Sequence, residues 1–157
     1  MNFLKSNDIL YKHQYGFRPK HSTMHPIIHL LNHCAEATSK PIPEYTLAMF
    51  CDLSKAVDVI NRIILLKKLN IYGIRGVVNN WFDSYLSERK QYVDFDHNPS
   101  KHSSIDLSVP QGIILGPLLY LIYVNDIGNS CTGNILSFAD DTTLYISDSR
   151  LDRLFVY

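Results

Sequence analysis

The sequence predicts an α+β fold in which an antiparallel sheet carries helices on one face. Apolar residues recur at helical spacing in several segments, and an apolar run of strand length lies between the first two of them. Two short segments rich in β-branched and aromatic residues follow near the C-terminal end. The 157 residues are 46% hydrophobic, without a repeat or a low-complexity tract, so we expect a packed globular core.

The elements are expected in the order helix, strand, two helices, hairpin, helix and hairpin. Their predicted ranges are 22–40, 45–51, 60–71, 77–86, 91–96 with 104–109, 118–123, and 134–138 with 142–146.

The helices are predicted from their periodicity and from the residues that end or begin them. Pro41 and Pro43 follow the first helix, and Gly73 follows the second. Pro117 suits the first position of the last helix. A strand is the competing interpretation of that last, strongly apolar segment.

The strands are predicted from their residue types and from the turns between them. The first strand leads directly into Asp52. The first hairpin is expected to turn at 97–100, where Asn, Pro and Ser favour turns. The last two segments flank Ala139-Asp140-Asp141, which is therefore interpreted as the apex of a second hairpin.

Charge and composition limit the classes of function. Fifteen basic and fifteen acidic residues give a net charge of zero, so nucleic-acid binding would have to come from a local groove. Three cysteines without CxxC spacing favour reduced thiols in an intracellular protein. The most apolar stretch, 113–124, is interrupted by Gly116-Pro117 and is too short to span a bilayer, so no membrane partner is expected.

Adjacent carboxylates at Asp140 and Asp141 are the strongest chemical signal in the chain. Like charges this close repel, and a hard divalent cation that prefers oxygen ligands would hold them ionised together. Asp52, at the end of a strand, is a third candidate ligand. The alternative for the two adjacent residues alone is an ordinary hairpin turn, since Asp is common in turns.

A histidine series gives a second, weaker metal signal. His21, His25, His29 and His33 recur at four-residue spacing and would line one face of an uninterrupted helix. Pro26 marks a helix start within the series, and no matching set of cysteines and carboxylates accompanies it. We therefore interpret these residues as ordinary side chains.

Six motifs follow one another in a characteristic order. They are Gln14-Tyr15-Gly16-Phe17-Arg18 with His21-Ser22-Thr23; Asp52-Leu53-Ser54-Lys55-Ala56-Val57-Asp58; Tyr72-Gly73-Ile74; Trp81-Phe82-Asp83-Ser84-Tyr85-Leu86; Val109-Pro110-Gln111-Gly112 with Ile114-Leu115-Gly116-Pro117; and Phe138-Ala139-Asp140-Asp141. From about residue 9 to residue 145 the chain resembles reverse transcriptases, most closely those of jockey-type non-LTR retrotransposons.

The resemblance implies a right-hand polymerase palm with part of the fingers. Residues 1–44 would be the fingers fragment and residues 45–157 the palm, with the thumb and endonuclease absent from the chain. Such a protein would act as an RNA-directed DNA polymerase on an RNA template, a DNA primer and deoxynucleoside triphosphates. Asp52, Asp140 and Asp141 would be its catalytic residues and would ligate two Mg²⁺ ions, with Mn²⁺ as the alternative metal. The nucleus would be the site of such a reaction.

The resemblance also implies a nucleotide-binding set. Arg18 would lie near the incoming triphosphate, where a guanidinium suits phosphate oxygens. Gln111 and Gly112 would form the loop against the nascent base pair, and Leu53 would offer its backbone beside the metal. Val57 stands where the family usually has an aromatic residue that screens against a ribose 2′-hydroxyl, so weaker rejection of ribonucleotides is expected.

A second function class competes with the polymerase. The chain could be a non-catalytic relic that keeps the palm fold and serves as a weak nucleic-acid-binding or protein-binding module. Several positions depart from the family pattern, although none of these departures removes an expected metal ligand. The sequence gives no indication of the oligomeric state.

Overall fold

The computed structural model of the chain describes residues 2–53, 55–105, 107–110 and 114–155. The fold is α+β, as predicted. The chain forms two compact units, Met1–Ser54 with Val124–Tyr157, and Lys55–Tyr123. The predicted division into a fingers fragment, 1–44, and a palm, 45–157, stays a prediction. Among the helices in the described ranges, none combines the length and the apolar character needed to cross a membrane.

The helices and strands are numbered in chain order. They are α1 (Asn2–Ser6), α2 (Met24–Thr38), β1 (Tyr45–Asp52), α3 (Arg62–Ile71), α4 (Val77–Leu86), β2 (Lys90–Gln91), β3 (Asp94–Phe95), β4 (Asn98–Pro99), β5 (Ser103–Ser104), α5 (Leu115–Tyr123), β6 (Asn134–Phe138) and β7 (Asp141–Asp148). Two 3₁₀ helices, Ile127–Asn129 and Leu151–Phe155, complete the described structure.

The first unit is built on an antiparallel sheet of strand order β1-β7-β6. Helix α2 packs against β1 and β6 on one face of this sheet. The C-terminal 3₁₀ helix packs on β7, where Leu154 and Phe155 lie beside Leu47 and Leu144 on the opposite face. The prediction of helices on one face is therefore incomplete, because this short helix lacks the periodicity that marks a longer one.

A polar chain links α2 to the sheet. His33 Nε2 lies 2.8 Å from Ser147 Oγ, which lies 2.8 Å from Thr46 Oγ1. The His33 ring also meets the Tyr145 ring edge-on, with the centroids 4.7 Å apart. Tyr145 is buried, and this burial raises the pKa of its hydroxyl. These contacts fix α2 above β1 and β7.

The second unit is largely helical. Helix α3 packs against α4 and α5, and its Leu65 and Leu69 are fully buried. Helix α5 is apolar on all sides and includes buried residues from Leu119 to Ile122, which excludes the competing strand. Pro117 is its third residue rather than its first, a position still within the first turn, where a missing N–H breaks no helical hydrogen bond.

The first hairpin differs from its prediction. Its two expected long strands are replaced by two short ladders, β2 with β5 and β3 with β4. The turn lies at Asp96 and His97, whose φ angles of 49° and 61° match a type I′ turn. Both faces of this segment are exposed to solvent, so no row of buried apolar side chains stabilises a longer strand pairing.

Asn61 caps α3, which gives a test of the second unit. Its Oδ1 accepts hydrogen bonds from the N–H groups of Ile63 and Ile64 at 2.9 and 3.2 Å. We expect Asn61→Ala to lower the free energy of unfolding by about 1 kcal/mol in chemical denaturation. Asn61→Asp, the matched control, keeps the acceptor and adds a favourable charge at the helix N-terminus, so it should be at least as stable as the wild type. Equal stability of Asn61→Ala would contradict the role of the cap.

Candidate active site

The sheet of the first unit brings the three predicted catalytic carboxylates to one end. Asp52 is the last residue of β1 and Asp141 is the first of β7, and the two are register partners. Partners in antiparallel strands have Cα atoms about 4.5–5.5 Å apart and direct their side chains to the same face. Asp140 precedes Asp141 in the turn from β6. The turn is therefore shorter than expected, because Asp141 belongs to the strand.

All three carboxylates are exposed to solvent. In the described ranges, neither Lys nor Arg forms an ion pair with Asp52, Asp140 or Asp141. Like charges directly opposite one another on adjacent strands destabilise a sheet. A bound cation would reduce this repulsion.

The donor set fits a hard divalent metal, since it offers carboxylate oxygens alone. Within the described part of the chain, no three His, Cys, Asp or Glu side chains already converge in an arrangement that could hold a metal ion. The backbone nevertheless places the three carboxylates on neighbouring positions. All three side chains are exposed, and exposed side chains change rotamer within nanoseconds.

A pocket of about 390 Å³ lies between α2 and the carboxylate-bearing face of the sheet. Asp52 and Asp141 line it together with apolar side chains from α2 and the sheet. These apolar neighbours are Pro26, Ile27, Leu30, Phe50, Leu136 and Phe138. The two carboxylates thus stand beside a partly apolar recess rather than on a flat surface.

The side chain of Gln14 holds the turn that carries Asp140. Gln14 is only 4% exposed. Its Nε2 donates to the carbonyl oxygen of Ala139 at 3.2 Å, and its Oε1 accepts from the Ala139 N–H at 3.1 Å and from the Gly16 N–H at 2.8 Å. Only this orientation of the amide satisfies all three bonds, because the flipped amide would place its NH₂ against two N–H donors.

The neighbours of Gln14 run beside β6. The N–H of Tyr15 donates to the carbonyl oxygen of Ser137 at 2.8 Å, and the N–H of Ser137 donates to that of His13 at 2.9 Å. Gly16 lies so close to the turn that a Cβ on it would overlap the backbone nitrogen of Ala139. The sequence analysis placed Gln14 and Gly16 in the first motif but assigned them no role. Their presence in the same motif as Arg18 is the sequence feature that could have indicated one.

Arg18 also serves this N-terminal segment. Its Nη1 donates to the carbonyl oxygens of Tyr11 and Gln14, both at 3.0 Å. Its Nε is buried, with no hydrogen-bond partner in the described ranges. The guanidinium therefore stabilises the loop before α2, and its predicted contact with a triphosphate stays a prediction.

Of the other predicted nucleotide-binding residues, Leu53 belongs to the first unit and Val57 to the second. Leu53 directly follows Asp52 and is partly exposed. Val57 is half-buried in the second unit. Gln111 and Gly112 lie outside the described residues. Their predicted roles stay predictions.

The histidine series contacts tyrosine, serine and backbone groups. His29 Nδ1 lies 3.0 Å from the Tyr15 hydroxyl, and His21 Nδ1 lies 3.0 Å from the carbonyl oxygen of Pro19. The rings of His13 and His29 meet edge-on, with the centroids 4.7 Å apart. Burial, the neighbouring His29 and Lys12 together hold the pKa of His13 below its ordinary value.

The comparisons with known proteins show the family of the chain. Residues 2–154 match the family model described as reverse transcriptase (RNA-dependent DNA polymerase), so the chain belongs to the reverse transcriptase family. It is 32% identical over 152 residues to the probable RNA-directed DNA polymerase from transposon BS of Drosophila melanogaster, covering 90% of this chain and 16% of that protein. It is 31% identical over 144 residues to the RNA-directed DNA polymerase from mobile element jockey of the same species, covering 85% of this chain and 15% of that protein.

The resemblance to jockey-type elements is thereby confirmed. The chain spans about one sixth of the length of these curated relatives.

Gly16 provides the first test of the site. We expect Gly16→Ala to lower the free energy of unfolding by about 1–3 kcal/mol, because the added methyl group overlaps the backbone of Ala139. Chemical denaturation measures this change. An unaltered unfolding midpoint would show that the N-terminal segment does not pack closely on the turn.

His13 provides a pH test. Its folded-state pKa lies below the ordinary value of 6.5, so the unfolded chain takes up the proton first as the pH falls. The stability contributed by neutral His13 is therefore present above pH 6.5 and is lost as the pH falls through the lowered pKa. We expect His13→Gln to flatten the loss of stability between pH 7.5 and pH 5, measured by denaturation. His97→Gln, in an exposed turn, is the control and should keep the wild-type slope; an unchanged slope in His13→Gln would contradict this assignment.

Proposed function

We propose that this chain forms part of the palm of a reverse transcriptase and carries the carboxylates for RNA-directed DNA synthesis. One observation carries the proposal: Asp52 and Asp141 are register partners on adjacent strands, and Asp140 stands in the adjoining turn. The family of the chain and the names of its relatives, RNA-directed DNA polymerases, give this group of carboxylates its chemical context. The substrates would be an RNA template, a DNA primer and deoxynucleoside triphosphates.

Asp52, Asp140 and Asp141 would hold two Mg²⁺ ions, with Mn²⁺ as the alternative. Held there, such ions would supply activation of the primer 3′-hydroxyl and charge neutralisation at the triphosphate. The chain itself keeps the carboxylates in place: the β1–β7 ladder sets the separation of Asp52 and Asp141, and the β6–β7 turn sets Asp140. Their exposure leaves them open to substrate.

The nucleotide-binding roles belong to the same proposal. Leu53 would offer its backbone beside the metals, and Val57 would leave the ribose position less crowded than an aromatic residue does. Gln111 and Gly112 would approach the nascent base pair. Arg18 would bind phosphate through guanidinium donors other than Nη1, which already bonds to loop carbonyls. Within the palm assignment, residues 1–44 would belong to the fingers.

Primer extension tests the proposal. The purified 157-residue chain is given an RNA template, a DNA primer, deoxynucleotides and Mg²⁺ or Mn²⁺. We expect Asp140→Asn to lower extension by more than about 100-fold, since a metal ligand is worth several kcal/mol in such a transition state. The matched control is Asp94→Asn, which removes an exposed carboxylate from β3 and should leave extension unchanged.

Two outcomes would contradict the proposal. Extension that persists in Asp140→Asn would remove this residue from the catalytic set. A folded wild-type chain that neither extends the primer nor binds Mn²⁺ would support the relic instead. In that case Asp140→Asn should raise stability, because the repulsion between neighbouring carboxylates falls.

A further inference from the structure

We propose that Gln14 is a positioning residue for the carboxylate-bearing turn, and that it sets the location of Asp140 by holding the backbone of Ala139. This inference rests on the proposed function, since the position of Asp140 matters chemically only if it ligates a metal. Gln14 itself touches no reacting group; it acts through the backbone of the turn.

The turn needs external support because its conformation is unfavourable for its sequence. Ala139 has a φ of 57°, in the left-handed region that residues with a Cβ rarely adopt. A two-residue hairpin loop usually has glycine, Asn or Asp at such a position. Ala139 therefore depends on surrounding contacts to stay in this conformation, next to the exposed Asp140.

Gln14 binds the two backbone groups of Ala139, the residue that directly precedes Asp140. The Ala139 carbonyl belongs to the peptide unit that joins Ala139 to Asp140, and the Ala139 N–H belongs to the preceding peptide unit. One amide side chain binds both groups, at 3.2 and 3.1 Å. Both peptide planes on either side of the strained Cα are thereby fixed, and the Cα of Asp140 is fixed with them.

Gln14 is itself held rigidly. Its side chain is buried, and its Oε1 also accepts from the Gly16 N–H at 2.8 Å. Its backbone N–H donates to the Tyr11 carbonyl at 3.1 Å, and its carbonyl accepts from Arg18 Nη1 at 3.0 Å. Because both its backbone and its side chain are held, Gln14 can fix the position of Ala139, whereas a mobile, exposed glutamine could not.

The rival explanation is that Gln14 only stabilises the fold, as any buried and satisfied polar residue does. Asn125 offers a matched control for that explanation. Its Oδ1 accepts from the Tyr11 N–H at 2.7 Å, and its Nδ2 donates to the Ile9 carbonyl at 2.7 Å. It thus fixes the same N-terminal segment with the same chemistry, but it does not bond to the turn.

The experiment compares Gln14→Met with Asn125→Leu in the full 157-residue chain. Two readouts are taken on folded protein: backbone hydrogen exchange at Ala139, and Mn²⁺ affinity measured by electron paramagnetic resonance. We expect Gln14→Met to speed exchange at Ala139 and weaken Mn²⁺ binding, each by about tenfold, as the loss of a pair of hydrogen bonds implies. Asn125→Leu should lower the thermal midpoint yet leave both readouts at their wild-type values.

A second variant covers the case in which Gln14→Met does not fold. Gln14→Asn keeps the amide group but is one methylene shorter, so it cannot hold both the N–H and the carbonyl of Ala139. It should move both readouts, and Asp140→Asn in the same background should then cause little further loss of Mn²⁺ affinity.

The outcomes separate this inference from the proposed function. Wild-type exchange at Ala139 in the folded Gln14 variants would contradict the positioning role of Gln14. Equal weakening of Mn²⁺ binding by Asn125→Leu would contradict it as well. A wild-type chain without Mn²⁺ affinity would instead overturn the proposed function and, with it, the positioning of a metal ligand. In that case the exchange readout would still report whether Gln14 holds the turn.

Discussion

The ladder between β1 and β7 is the constraint on which the first unit depends, and it places Asp52 opposite Asp141. Two unit charges about 4 Å apart repel by about 1 kcal/mol in bulk water and by several times more in a poorly hydrated site. Exposure of the carboxylates keeps this cost low, and the ladder of β1 with β7 and the buried residues beneath it offset the cost. A fold that places like charges opposite one another gives up stability, and a bound divalent cation would recover it.

The support for this arrangement comes from the opposite end of the chain. Gln14 and Gly16 contact Ala139 across the β6 side of the sheet, although more than a hundred residues separate them in sequence. Both residues belong to the motif that also contains Arg18. A motif associated by resemblance with nucleotide binding therefore also has a structural task, which is to hold the turn of the carboxylates.

Arg18 shows how far residue type can be trusted in assigning a role. A guanidinium suits phosphate oxygens, but it suits backbone carbonyls equally well, and here Nη1 bonds to two of them. Arg18 therefore stabilises the loop on which it would meet a nucleotide. Any nucleotide contact made through Nη1 would therefore have to replace two loop hydrogen bonds, which links binding to the conformation of the N-terminal segment.

The sequence by itself determined the α+β class, the helix over 77–86, the strand that ends at Asp52 and the final hairpin, because each is encoded in local periodicity and turn residues. It also singled out the three carboxylates and the family. Only the tertiary structure decided that Asp141 begins β7 opposite Asp52, that the exposed first hairpin breaks into two short ladders, and that Gln14 holds Ala139. Each of these depends on strand register or on contacts between distant segments, and local sequence patterns specify neither.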